Sequence, residues 1–122
     1  MNGNNKIDKT KRDISILKKI AKYGEEIAET HKKFGDTIEN FKADRDYFKS
    51  ITMSLLQTGE LANHLSNEFR QRYSDIPFHA IISLRNIVAH GYDSLEYEKV
   101  WIISHENIPA LHARCLEILA EI

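Results

Sequence analysis

A single cysteine, Cys115, two prolines and five glycines are all that this 122-residue chain has of those types, and it holds no long apolar run. One cysteine cannot close an internal disulfide, which removes the stapled frameworks of small secreted domains and points to a reducing compartment. No apolar stretch has the length of a signal peptide or a membrane span, so a cytoplasmic protein with no membrane partner is expected. Charge of one sign is also lacking: 17 basic and 18 acidic residues leave a net charge of −1, and the overall balance announces no polyanionic partner. Absent too are a glycine-rich phosphate loop, an H-E-x-x-H helix, paired cysteines and a G-x-S-x-G turn, so the nucleotide, metal and serine-hydrolase chemistries that use them are poor candidates.

Locally the charge is uneven. Lys6, Lys9, Lys11, Arg12, Lys18, Lys19 and Lys22 face only Asp8 and Asp13 in the first 22 residues. Such a run is most simply a solvated helix face, although a polyanion could meet it.

With so few chain breakers, apolar residues recur at steps of three and four, and the expected fold is all-α: an up-and-down bundle of about four to five helices forming one domain over residues 1–122. The first helix is predicted from Thr10 to Phe34, with Ile16, Ile20, Tyr23, Ile27 and Phe34 in one stripe and Leu17, Ala21 and Ala28 beside it, and Gly35 stopping it. A short helix from Asp36 precedes a long one whose apolar face runs Phe48, Ile51, Leu55, Ala62, Leu65, Phe69. Gly59 in its middle costs up to ~1 kcal/mol relative to alanine, which suggests another helix crossing close to that backbone.

After a polar stretch from Arg72, a helix is predicted from Pro77 to His90, with Ile81, Leu84 and Val88 inward, Ala80 and Ile87 alongside, and Gly91 ending it. Asp93 and Glu96 have capping-box spacing for a helix holding Tyr97, Val100, Trp101 and Ile103. Pro109 opens the last helix, where Leu111, Cys115, Ile118 and Ile122 share a stripe that makes Cys115 a core residue rather than a reactive thiol.

Among polar residues, Glu60 and His64 stand one turn apart, a spacing that more often gives a surface contact than a metal site. His31, His79, His105 and His112 have no partner at a telling spacing and read as surface or boundary residues. No metal site and no cofactor are expected. What remains is Arg85-Asn86-Ile87-Val88-Ala89-His90-Gly91-Tyr92. Asn86 and His90 sit one turn apart on one helix face, and Arg85 can swing in from the flank. Arginine offers a permanently charged fork to phosphate oxygens, and histidine exchanges protons near pH 7. Together they suit cleavage of RNA through its own 2′-hydroxyl, which needs a base, an acid and positive charge at the phosphorus. One histidine fills one proton-transfer role at a time, so a two-fold homodimer pairing two Arg85 and two His90 in one cleft is expected. A plainer alternative pairs Arg85 with a neighbouring carboxylate and leaves His90 capping the helix end.

R-x4-H-x-Y, here Arg85 to Tyr92, resembles the motif of the HepT-like toxins of the HEPN superfamily of helical ribonucleases. Gly59-Glu60-Leu61-Ala62-Asn63-His64-Leu65-Ser66, the Ile76-Pro77 helix start and the Val100-Trp101 pair stand in that family's order, so the resemblance covers roughly Asp44 to Leu119. It implies a metal-independent endoribonuclease that acts as the toxin of a type VII-like toxin and antitoxin pair and works as a homodimer. Arg85 and His90 would be catalytic and Asn86 supporting. Tyr92 would be the hydroxyl that a minimal nucleotidyltransferase antitoxin modifies with AMP from ATP, blocking RNA with a bulky anion. Two other readings stay open: a non-catalytic, nucleotide- or substrate-binding subunit of a nucleotidyltransferase, and a purely structural helical dimer.

Overall fold

The helical period governs the chain. The structure, a computed structural model, describes residues 2–91 and 97–122, with side chains described for 10–86 and 97–122. Among the described residues every regular element is helical, as the spacing predicted.

Helix α1 runs Asn2–Lys33. Its buried stripe is Ile16, Leu17, Ile20, Ala21 and Ile27, continued by His31, while Ala28 faces solvent. Gly35 (φ 95°) and Asp36 (φ 52°), both in the left-handed region, turn the chain after it. Thr37 caps α2 (Ile38–Ala43) by accepting from the Asn40 amide. Asp44 ends α2 and caps α3 (Arg45–Asn63), its Oδ1 accepting from the amides of Asp46 at 2.9 Å and Tyr47 at 3.3 Å.

The spacing predicted one long helix for the apolar face from Phe48 to Phe69, but the structure divides it between two. α3 stops at Asn63, and Ser66 caps a separate α4 (Asn67–Arg72). The cause lies 53 residues away: the buried Asp13 carboxylate of α1 takes the Ser66 amide at 2.8 Å and its hydroxyl at 2.6 Å. Leu65, in the turn between the two helices, and Phe69, on α4, are still buried in the core.

Helix α5 (Phe78–Gly91) sits within a residue of its predicted bounds, with Ile81 and Leu84 buried and Ala80 exposed. The side chains of Ile87 and Val88, the conformation that would end the helix beyond Gly91, and the Asp93–Glu96 capping box lie outside the described residues. Gly59 lies against α5, where a Cβ would stand 3.0 Å from the Ile81 carbonyl oxygen and 3.4 Å from the Arg85 amide nitrogen. The expected helix crossing is therefore present.

Helix α6 (Tyr97–Ile102), a π-helical turn (Ile103–Asn107) and α7 (Ile108–Glu121) follow one another without a break. Ile103 thus falls in the wide turn. Pro109 lies in the first turn of α7, directly after the π-helical turn. Cys115 and Ile118 are wholly buried, and burial pushes the Cys115 thiol up to about 12. Ile122 follows the last turn and is exposed, outside the stripe its spacing suggested.

The long helices α1, α3, α5 and α7 make the bundle, with α1 flanked by α3 and α7, and α3 by α5. No described helix is long and apolar enough to cross a membrane.

Candidate functional site

The residues singled out by the motif ride on α5, and their placement starts at Gly59. Because that position has no side chain, α3 and α5 approach closely, and the next residue of α3, Glu60, comes beside the Arg85 guanidinium. Arg85 Nη1 and Glu60 Oε1 are 3.6 Å apart, with both side chains partly open to solvent. The carboxylate neighbour expected in the plainer reading of Arg85 is thus Glu60, 25 positions earlier in the chain. Sequence spacing had coupled Glu60 to His64 instead; the proximity of Glu60 to Arg85 follows only from the helix crossing.

Asn86 is exposed. His90 lies on α5 one turn further on, but its side chain is outside the described residues, as is all of Tyr92. The structure therefore brings Arg85 and Glu60 together on an open surface, where a cation of fixed charge is available to a phosphate. A groove between the start of α5 and α7 is mostly apolar, with Ile81, Leu84 and Leu111 in its wall, and its one cation, Arg114, is paired with Asp75.

A second polar group lies near the opposite end of α3. Tyr47 and Gly59 are twelve residues apart, or about 18 Å of helix. His31 belongs to this group, which corrects its reading as a surface or boundary residue: it is 4 % exposed. Its Nδ1 contacts the Tyr47 hydroxyl, and its Nε2 lies 3.0 Å from Ser104 Oγ. Its ring packs 3.8 Å from that of His105, which in turn lies 3.9 Å from that of Trp101. Asp36, held in the α1–α2 turn, places Oδ1 2.6 Å from His105 Nε2 and 3.8 Å from His31 Nδ1. Burial, with His105 adding repulsion and Asp36 opposing both, lowers His31 to about 4, so it is neutral at pH 7. The partners are 16 and 73 residues distant in sequence, a separation that spacing rules cannot reach.

The family model for ribonuclease HepT-like proteins matches residues 14–118. This chain belongs to the HepT-like ribonuclease family. The match takes in most of α1, which lies outside the span from Asp44 to Leu119 covered by the motifs. Among relatives, "Putative RNase TTE0752" of Caldanaerobacter subterraneus is 31% identical over 85 residues, covering 70% of this chain and 76% of that protein. "Putative RNase MJ1380" of Methanocaldococcus jannaschii is 29% identical over 85 residues, 62% of this chain and 77% of that protein. "Probable ribonuclease HepT" of Thermococcus cleftensis is 24% identical over 76 residues, 62% and 69% of the two chains. No solved structure matches the chain. An all-α bundle and membership of a ribonuclease family thus agree with the resemblance carried by Arg85 to Tyr92.

Proposed function

We propose that this HepT-like chain is a metal-independent endoribonuclease, a single-domain cytoplasmic toxin of a type VII-like pair. In this reading it cuts RNA with Arg85 and His90, supported by Asn86, in a cleft shared by two copies. The observation that carries the reading is a half-exposed Arg85 on α5, one helical turn or so before His90, in a chain of a ribonuclease family. Arg85 neutralises charge on the phosphate while His90 moves a proton, and the two copies supply the acid and the base. A minimal nucleotidyltransferase silences the enzyme by placing AMP on Tyr92, whose added charge repels RNA.

The test is cleavage of a mixed RNA pool in EDTA by wild type and His90→Ala, with circular dichroism in the same buffer. General acid or base catalysis contributes about 10²- to 10⁴-fold, so the folded variant should lose that much rate. If folded wild type and variant behave alike, the alternative of a substrate- or nucleotide-binding subunit of a nucleotidyltransferase takes over. Tyr92→Phe should cut RNA as wild type does and accept no AMP from the nucleotidyltransferase, checked by mass spectrometry; AMP found elsewhere on that variant would move the modification site.

A further inference from the structure

We propose that His31, Asp36 and His105 form a binding site for one first-row divalent cation, Zn²⁺ in first place, where the end of α1, the α1–α2 turn and the π-helical turn meet. The site is independent of the ribonuclease reading and lies about 18 Å along α3 from Gly59 and its neighbour Glu60.

Hydrogen bonding determines which ring nitrogens carry lone pairs. Ser104 Oγ donates its one proton to the Trp101 carbonyl at 2.9 Å. It must then accept from His31 Nε2, which leaves His31 Nδ1 as the lone-pair nitrogen. The Trp101 carbonyl can only accept, so His105 Nδ1 donates to it at 3.1 Å and His105 Nε2 is the nitrogen turned outward. Both nitrogens face the Asp36 carboxylate, whose Oδ1 lies 3.8 Å from His31 Nδ1 and 2.6 Å from His105 Nε2, and the three residues bring one ligand atom each to within 4.8 Å of one another. A nitrogen lone pair and a carboxylate oxygen 2.6 Å apart repel unless a proton or a cation lies between them.

This is the arrangement of a metal centre with its supporting shell already made: each imidazole donates its far N–H to a fixed acceptor, which orients the ring and presents the other nitrogen. Two imidazoles and one carboxylate are a donor set for Zn²⁺ and its first-row neighbours, with the remaining position left for water. The Tyr47 hydroxyl, now on His31 Nδ1, is the group the cation displaces. Asp36 is half exposed and provides the entry from solvent.

The chain supplies its own reporter. Trp101 is its sole tryptophan and packs on the His105 ring. Full-length protein stripped with EDTA and dialysed free of it should bind one Zn²⁺ per chain in a calorimetric titration. It should melt at a higher temperature with Zn²⁺ present, and lose Trp101 fluorescence when Co²⁺ is added. Asp36→Asn is the decisive variant, since asparagine tolerates the left-handed backbone at that position and the turn survives. It should bind Zn²⁺ at least about tenfold more weakly, as loss of one of three ligands demands. Glu39→Gln on α2 should bind as wild type. Absence of saturable one-to-one binding in wild type, or equal affinity in Asp36→Asn, would overturn the site and leave the cluster a hydrogen-bonded knot. RNA cleavage plays no part in these readouts, so the two proposals fail separately.

Discussion

Arg85 and Glu60 are both partly open to water and 3.6 Å apart, and ion pairs of that kind contribute under about 1 kcal/mol. Their pairing therefore does little to hold the fold together. In the proposed ribonuclease reading Arg85 binds phosphate, and a carboxylate beside it would compete with RNA. Glu60→Gln should leave the urea midpoint almost unchanged and lower the KM for RNA by up to about fivefold, with kcat the same. Steady-state cleavage at two salt concentrations checks this, and a fall in kcat would instead make Glu60 a positioning residue for Arg85.

At the scale of elements, the approach of α3 to α5 decides where Arg85 sits. A Cβ on Gly59 would press on the Ile81 carbonyl oxygen at 3.0 Å and the Arg85 amide nitrogen at 3.4 Å. Both are backbone atoms within a helix and cannot move without moving α5. Gly59→Ala gains about 1 kcal/mol of helix propensity but meets an overpacking cost of about 1 to 3 kcal/mol. A net loss of about 1 kcal/mol is expected, seen as a lower urea midpoint with an unchanged slope. A more stable variant would mean that the helices part easily and that the crossing does not constrain the site. The break between α3 and α4 shows the same principle, since the Asp13 carboxylate overrides a helical period that runs on through Leu65 and Phe69.

For the molecule as a whole, the buried His31 ties stability to pH. Burial is the main cause of its fall to about 4, while in the unfolded chain it titrates near 6.5. The unfolded state thus takes up a proton first as pH drops. Stability is fully present above pH 6.5 and is lost progressively between 6.5 and 4, by about 3 kcal/mol from this group. In EDTA, where no cation occupies the cluster, urea unfolding at pH 7 and pH 4.5 should show this drop, and His31→Gln should flatten it. A midpoint that ignores pH across that window would place the ring in water.

What the sequence determined by itself was whatever depends on near neighbours along the chain. Helical spacing marked α1, α5 and α7, buried Cys115, and flagged Gly59 as a crossing point, because side chains three and four apart share a helix face whatever lies beyond. The compact motif from Arg85 to Tyr92 pointed to the family for the same reason. Tertiary structure alone decided the partners: Glu60 beside Arg85, Asp13 of α1 holding Ser66, and His31, Asp36 and His105 gathered from three elements. Those contacts depend on how helices cross and how deeply each group is desolvated, and neither quantity is written in the spacing of residues along one chain.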